Sequence, residues 1–239
     1  MKTALITGAT GGIGRLLVEG LVGRGYRIVG VARNGEKLRE LQEKLPAFEY
    51  IIADLSKEDF PGTILEELER LGVERVDLLI NNAGLAVRKP LLEHSREELE
   101  NLFRVNTLAP VELTRMLLPV LPKGSTVVFV ISGVAFINVP ELPSYCAAKG
   151  ALHYLAVNLE RELEGRGINV VRVYPKQVKT GFFTRNGVPY PKGSIEPAAV
   201  AGAILEGIER GRREVFVPGY LKLLKYLPNW PVFTYRFRY

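Results

Sequence analysis

Short β-rich runs alternate with longer segments of helical periodicity from one end of the chain to the other, and that alternation restricts the fold more than any other feature. Strand patterns fall at 3–7, 27–32, 48–53, 76–80, 125–132, 168–174 and 214–218. Helical patterns fill the intervals at 12–25, 36–45, 59–72, about 96–118 and about 144–165, with another beginning at "EPAAVAGAI". The run "STVVFVIS" is almost continuously apolar, as a strand covered on both faces should be. Parallel strands need long crossover connections, and these are right-handed. The pattern therefore predicts an α/β fold: a single-domain, doubly wound, Rossmann-type parallel sheet of about seven strands with helices on both faces. Residues 1–218 would form this domain, and 219–239 an apolar, basic C-terminal tail. Within 96–118, Ser95 and Glu98 have the spacing of a capping box, and Pro110 predicts a kink or break.

Composition removes several function classes. No apolar run approaches the roughly 20 residues that cross a bilayer. The opening "MKTALITGATGGIG" turns glycine-rich before a secretion signal could develop, so a cytoplasmic location is expected. Cys146 stands alone, which excludes an internal disulfide framework and a cysteine-rich metal site. His94 and His153 have no ligand constellation beside them, so no metal is expected. The net charge of +6 suits an anionic ligand or surface, but the basic residues are scattered among acidic ones and no recognition module is present. No nucleic-acid partner is expected.

"TGATGGIG", Thr7 to Gly14, lies between the first strand and the first helix. Its glycines, at 8, 11, 12 and 14, let the backbone turn sharply and let an anion approach closely. The helix that follows offers unpaired N–H groups and a positive dipole end to a phosphate. A dinucleotide site is the natural reading, although the spacing differs from G-x-G-x-x-G. After the second strand comes "ARNG". An acidic residue there would bind the ribose hydroxyl of NAD, whereas Arg33 favours the 2′-phosphate of NADP. NADP(H) is the favoured cofactor, with NAD(H) the alternative.

"SYCAAKG" places Tyr145 and Lys149 four residues apart, on one face of a helix. Alone, such a pair is more often an amphipathic surface than a site. It has company, however. "NNAG" (81–84) follows the fourth strand, "RVN" ends at Asn106, and Ser132 closes the fifth strand thirteen residues before Tyr145. These ordered motifs resemble those of the classical short-chain dehydrogenase/reductase family over nearly the whole chain: TGxxxGxG, NNAG, the structural asparagine, the serine and YxxxK.

The resemblance implies roles. Gly8, Thr10, Gly11, Gly12, Ile13 and Gly14 would hold the cofactor diphosphate. Asp54 and Leu55 would border the adenine, with Asp54 hydrogen-bonded to it, and Asn82, Ala83 and Gly84 would line the adenosine side. Ser132 would bind the substrate oxygen, and Tyr145 would act as general acid/base. Lys149 would hold the nicotinamide ribose and lower the phenol's pKa, and Asn106 would bend its helix and anchor a water linking Lys149 to solvent. After the sixth strand the family often has PGxVxT; here the chain reads "PKQVKT". Pro175, Val178 and Thr180 keep their places at the nicotinamide, while Lys176 replaces the glycine and would either narrow the pocket or point to solvent.

The expected function is an NADP(H)-dependent oxidoreductase that interconverts a small-molecule carbonyl and an alcohol by hydride transfer, acting as a reductase. The alternative is a catalytically silent dinucleotide-binding regulator or scaffold on the same fold. The Gly/Pro-rich, aromatic stretch 181–197 reads as a substrate lid with Phe182, Phe183 and Tyr190 as lining, and 86–90 and 134–142 as further walls. The tail reads as packing against the domain or a sister subunit, with weak contact to an anionic membrane surface as the alternative. The resemblance also implies a homodimer or homotetramer built through the helices at 96–118 and 144–165.

Overall fold

The computed structural model describes residues 1–181 and 190–226. Seven parallel strands form one sheet: β1 (Thr3–Thr7), β2 (Arg27–Ala32), β3 (Phe48–Ile52), β4 (Leu78–Asn81), β5 (Thr126–Val130), β6 (Asn169–Pro175) and β7 (Glu214–Val217). Their spatial order is β3-β2-β1-β4-β5-β6-β7. The chain winds outward from β1 to β3, then returns to place β4 beside β1. That reversal opens a crevice at the carboxyl ends of the central strands, where open α/β sheets bind ligands.

Side-chain alternation along the strands sorts the core into two layers. Ala4 and Ile6 of β1 face the helices α1 (Gly12–Val22), α2 (Gly35–Lys44) and α7 (Pro197–Glu209), packing with Leu17, Leu38 and Ile204. Leu5 faces the other way, toward α3 (Phe60–Arg70), α5 (Ala109–Met116) and α6 (Pro143–Glu164), with Ile64, Leu113 and Leu152. Burying one Leu- or Ile-sized side chain contributes about 1.5–3 kcal/mol, so both helical layers are held mainly by this packing. No described helix is long and apolar enough to cross a membrane.

The expected long helix at 96–118 is in fact composite. α4 (Arg96–Phe103) starts in the anticipated capping box: Ser95 accepts from the Glu98 N–H at 3.1 Å, and the Glu98 carboxylate accepts from the Ser95 N–H at 2.8 Å. A π-helical turn over Arg104–Leu108 then separates it from α5. The irregularity therefore lies on Asn106, one turn before Pro110. Pro110 has no N–H to offer the Asn106 carbonyl four residues earlier, so the cause foreseen at the proline is displaced into the preceding turn.

Residues Gly219–Tyr226 form a 3₁₀ segment that returns onto the domain. Leu221 is buried there, close enough that a Cβ on Gly133 would lie 3.3 Å from its methyl group. Lys225 reaches Glu214 of β7 at 2.7 Å. Packing against the domain thus accounts for the first part of the tail; 227–239 lies outside the described residues.

Candidate active site

The crevice holds a cavity of about 700 Å³ at the ends of β1, β2, β4, β5 and β6. The anticipated cofactor residues Gly8, Thr10, Gly11, Gly12, Ile13, Gly14, Arg33, Asp54, Leu55, Asn82, Ala83, Gly84, Pro175, Val178 and Thr180 all line it, together with Ser132, Tyr145 and Lys149. Asn106 does not line it. It is fully buried behind the wall, donating to the carbonyls of Leu85 (2.7 Å) and Leu102 (3.0 Å) and accepting from the Leu85 N–H at 3.2 Å. Its side chain is thereby spent on holding the segment after β4.

The glycine loop is shaped by steric necessity at two positions. Gly8 has φ of +68°, a left-handed conformation costly to other residues, and a Cβ there would lie 3.0 Å from Ala83 Cα. A Cβ at Gly14 would lie 2.1 Å from the Gly8 carbonyl oxygen. Asn82 ties this turn to β4: its Nδ2 donates to the Thr7 carbonyl at 3.0 Å, and the Thr7 hydroxyl accepts from the N–H groups of Asn82 and Ala83 at 3.0 and 3.1 Å. The first turn of α1 carries no acidic side chain and no side-chain cap, so its N–H groups and dipole face the cavity uncompensated.

At the opposite wing, Arg33 is exposed at the end of β2. Two lining residues beside it, Asn34 and Lys37, are not singled out by the sequence pattern. Asn34 reads there as a turn residue and in fact caps α2, accepting from the Lys37 N–H at 2.9 Å. The Asp54 carboxylate accepts from the Ser56 N–H at 3.0 Å. Burial pushes its pKa up, but the Ser56 hydrogen bonds and the charges of Arg33 and Lys57 outweigh that and hold it below the usual carboxylate range.

Ser132, Tyr145 and Lys149 meet between β5 and the start of α6. The Ser132 hydroxyl is hydrogen-bonded to the half-buried Tyr145 phenol. The Lys149 ammonium is buried, donates to the Val130 carbonyl at 3.0 Å, and stands 5.8 Å from the centre of the Tyr145 ring. The expected acidification of the phenol by this ammonium is not what the structure gives. Burial pushes the phenol above its usual value, nearby Cys146 adds to the rise, and the Ser132 hydrogen bond opposes it. Burial also lowers the Lys149 pKa to about 7, so near neutrality the amine carries only part of its charge. Desolvation weakens the very cation that was expected to act on the phenol.

This burial also couples folding to pH. The folded-state pKa of about 7 lies below the ordinary 10.5, so folding carries the full cost of burying the ammonium below about pH 7. That cost fades as pH rises from about 7 to 10.5. Replacing Lys149 with Met should raise the Tm most at pH 6 and least at pH 10, by thermal unfolding; a pH-independent difference would contradict the assignment.

The walls are partly as foreseen. Val134 and Leu142 line the cavity from 134–142, whereas 86–90 contributes nothing and the adjacent Leu85 does. Tyr190 is exposed to solvent and is not among the lining residues; Phe182 and Phe183 lie outside the described residues. Lys176 lines the cavity, and its N–H continues the β6–β7 ladder to the Val217 carbonyl at 2.8 Å.

Comparison with known proteins agrees with this geometry. The short chain dehydrogenase family matches residues 2–188. The chain is 31% identical over 230 residues to the ketoacyl reductase HetN of Nostoc sp., covering 90% of this chain and 78% of that one. It is 34% identical over 182 residues to carbonyl reductase (NADPH) 2 of Sus scrofa, covering 75% and 72%. Among solved structures it is similar to a short-chain dehydrogenase from Sphingobium yanoikuyae in complex with NADPH, with a TM-score of 0.84, 28% identity, and coverage of 93% of this chain and 90% of that chain. The match to the family, the parallel sheet and the gathered motifs lead to one conclusion: the chain belongs to the classical short-chain dehydrogenase/reductase family.

Proposed function

We propose that this protein is an NADP(H)-dependent reductase that converts a small-molecule carbonyl to an alcohol. The observation that carries the reading is the sharing of one cavity by the glycine loop, Arg33 and the hydrogen-bonded Ser132–Tyr145 pair. The residues fit a dinucleotide: a loop where a Cβ would collide with backbone, an uncapped helix end for the diphosphate, and cations at the ribose end. Bound there, the nicotinamide supplies the hydride.

The chain's own residues handle the oxygen. Ser132 donates a hydrogen bond to the substrate carbonyl and fixes it beside the phenol. Tyr145, held protonated by burial, passes its proton to that oxygen as alkoxide character develops. The raised phenol pKa opposes the transfer, which still runs downhill because an alkoxide is far more basic than a phenolate. The Tyr145 proton is replaced from the Lys149 side, with water on the Asn106 carbonyl as the route outward. Following NADPH absorbance against ketones, aldehydes and 3-oxoacyl thioesters tests the proposal. Turnover with at least one class is expected; tight NADPH binding with no oxidation across the panel would indicate a dinucleotide-binding regulator.

Arg33 is the proposed determinant of cofactor choice, joined by Lys37. Arg33→Asp should weaken NADPH by about ten- to a hundredfold relative to NADH, the value of a charge-assisted contact turned repulsive. An unchanged ratio of the two dissociation constants would remove Arg33 from this role. We also propose that a second copy of the chain covers Leu108, Tyr154 and Leu155, which are exposed on and beside α5 and α6. Sedimentation as a monomer would refute this.

A further inference from the structure

Lys176 stands where the family pattern has glycine, and the described residues around it give that ammonium no internal task. It is half-buried and lines the cavity on the same strand end as Pro175. Its Nζ lies 3.3 Å from where a Cβ on Gly193 would be. Three cations of the adjoining segments are matched: Lys179 with Glu196 at 2.5 Å, Lys225 with Glu214 at 2.7 Å, and Arg172 with Glu160 at 2.8 Å. Among the described residues, no carboxylate pairs with Lys176 and no hydrogen-bond acceptor receives from it. The described lining contains a single acidic side chain, Asp54, which belongs to the adenine wing beyond β3. Among the described residues, the half of the cavity around Ser132 and Tyr145 therefore includes Lys176 with no carboxylate facing it.

A partly desolvated ammonium of this kind is a recognition element for an anion. Resting on the reading of the site as a carbonyl reductase, we propose that the physiological substrate is a carbonyl compound bearing a carboxylate or phosphate group, and that Lys176 binds that anion while Ser132 and Tyr145 hold the carbonyl. Selection is then electrostatic at one end and chemical at the other, with the carbon chain between them lying along Val134 and Leu142.

The test uses the full chain loaded with NADPH and two matched pairs: an aliphatic oxo acid with its methyl ester, and an oxoalkyl phosphate with its neutral alcohol. At least one anion should exceed its neutral partner in kcat/KM by about tenfold or more, and the pair that does so separates carboxylate from phosphate. Lys176→Gln should bring that ratio close to one, and Lys176→Arg should restore most of it. An unchanged ratio in Lys176→Gln would overturn the proposal. So would a loss of NADPH affinity as large as the loss in the ratio, which would assign the ammonium to the cofactor instead. A second readout needs no turnover. The non-reactive saturated acid and alkyl phosphate should raise the Tm of the NADPH complex saturably in the wild type and not in Lys176→Gln. Anion binding without reduction would sink the reductase reading alone; reduction without anion preference or Tm shift would sink the Lys176 proposal alone.

Discussion

Tyr145→Phe should reduce the rate of carbonyl reduction by about 10²- to 10⁴-fold while NADPH still binds within a few-fold of the wild-type affinity. The substitution removes one oxygen and leaves the ring, so the packing at the start of α6 is kept. What disappears is the proton that burial holds on the phenol, together with the hydrogen bond between Tyr145 and Ser132. Lys149 is no ready substitute, since its amine is committed to the Val130 carbonyl at 3.0 Å. Without a positioned acid, the developing alkoxide must be quenched by solvent. Steady-state kinetics alongside fluorescence titration of NADPH would decide the matter. Near-wild-type turnover would move the acid to another group, and parallel loss of binding and rate would make Tyr145 a structural residue.

The second large effect concerns a residue with no side chain. Gly14→Ala should abolish measurable NADPH binding and lower the Tm by several degrees. The added methyl carbon would sit 2.1 Å from the Gly8 carbonyl oxygen, far inside contact distance, and the obstacle is backbone that cannot swing away. Gly8 is itself pinned: its N–H donates to the Val31 carbonyl at 2.8 Å, and its own carbonyl accepts from the Gly11 N–H at 3.0 Å. The loop must therefore open, or α1 must withdraw from β1, and either shift removes the N–H groups aimed at the diphosphate. Calorimetric titration and thermal unfolding would check both halves; normal binding in Gly14→Ala would show that the loop is far more pliable than its hydrogen bonds imply.

Much of this architecture is legible in the amino-acid sequence, for identifiable reasons. β-branched and apolar runs bounded by glycine and proline mark all seven strands to within two residues at each end. The long helical patterns between them then make the sheet parallel and covered on both faces. Local chemistry is readable where a single residue decides the outcome, as with the Ser95–Glu98 box. What is not legible depends on partners distant in sequence. Pro110 announces a break, but the bonds that Asn106, in the π-helical turn before it, makes with Leu85 twenty-one residues away are encoded by no local pattern. Arg33 is visible from its strand end, but Lys37 joins it only through the turn that Asn34 caps. The electrostatics of Tyr145 differ from expectation because charge proximity shows in the spacing and burial does not. From spacing alone a lysine near a phenol suggests an acidified phenol, whereas removing both from water raises one pKa and lowers the other.

The central claim is that hydride and proton reach the two ends of one carbonyl within this cavity, the hydride from the nicotinamide and the proton from Tyr145. Isotope tracing measures it most directly. NADPH deuterated at the hydride position is incubated with the protein and a reducible carbonyl in ordinary water, and the alcohol is analysed by mass spectrometry and NMR. The account predicts one deuterium on the carbinol carbon, in a single configuration, with NADP⁺ formed in equal amount. Alcohol lacking that deuterium, or bound NADPH that persists unoxidised beside every carbonyl offered, would contradict it.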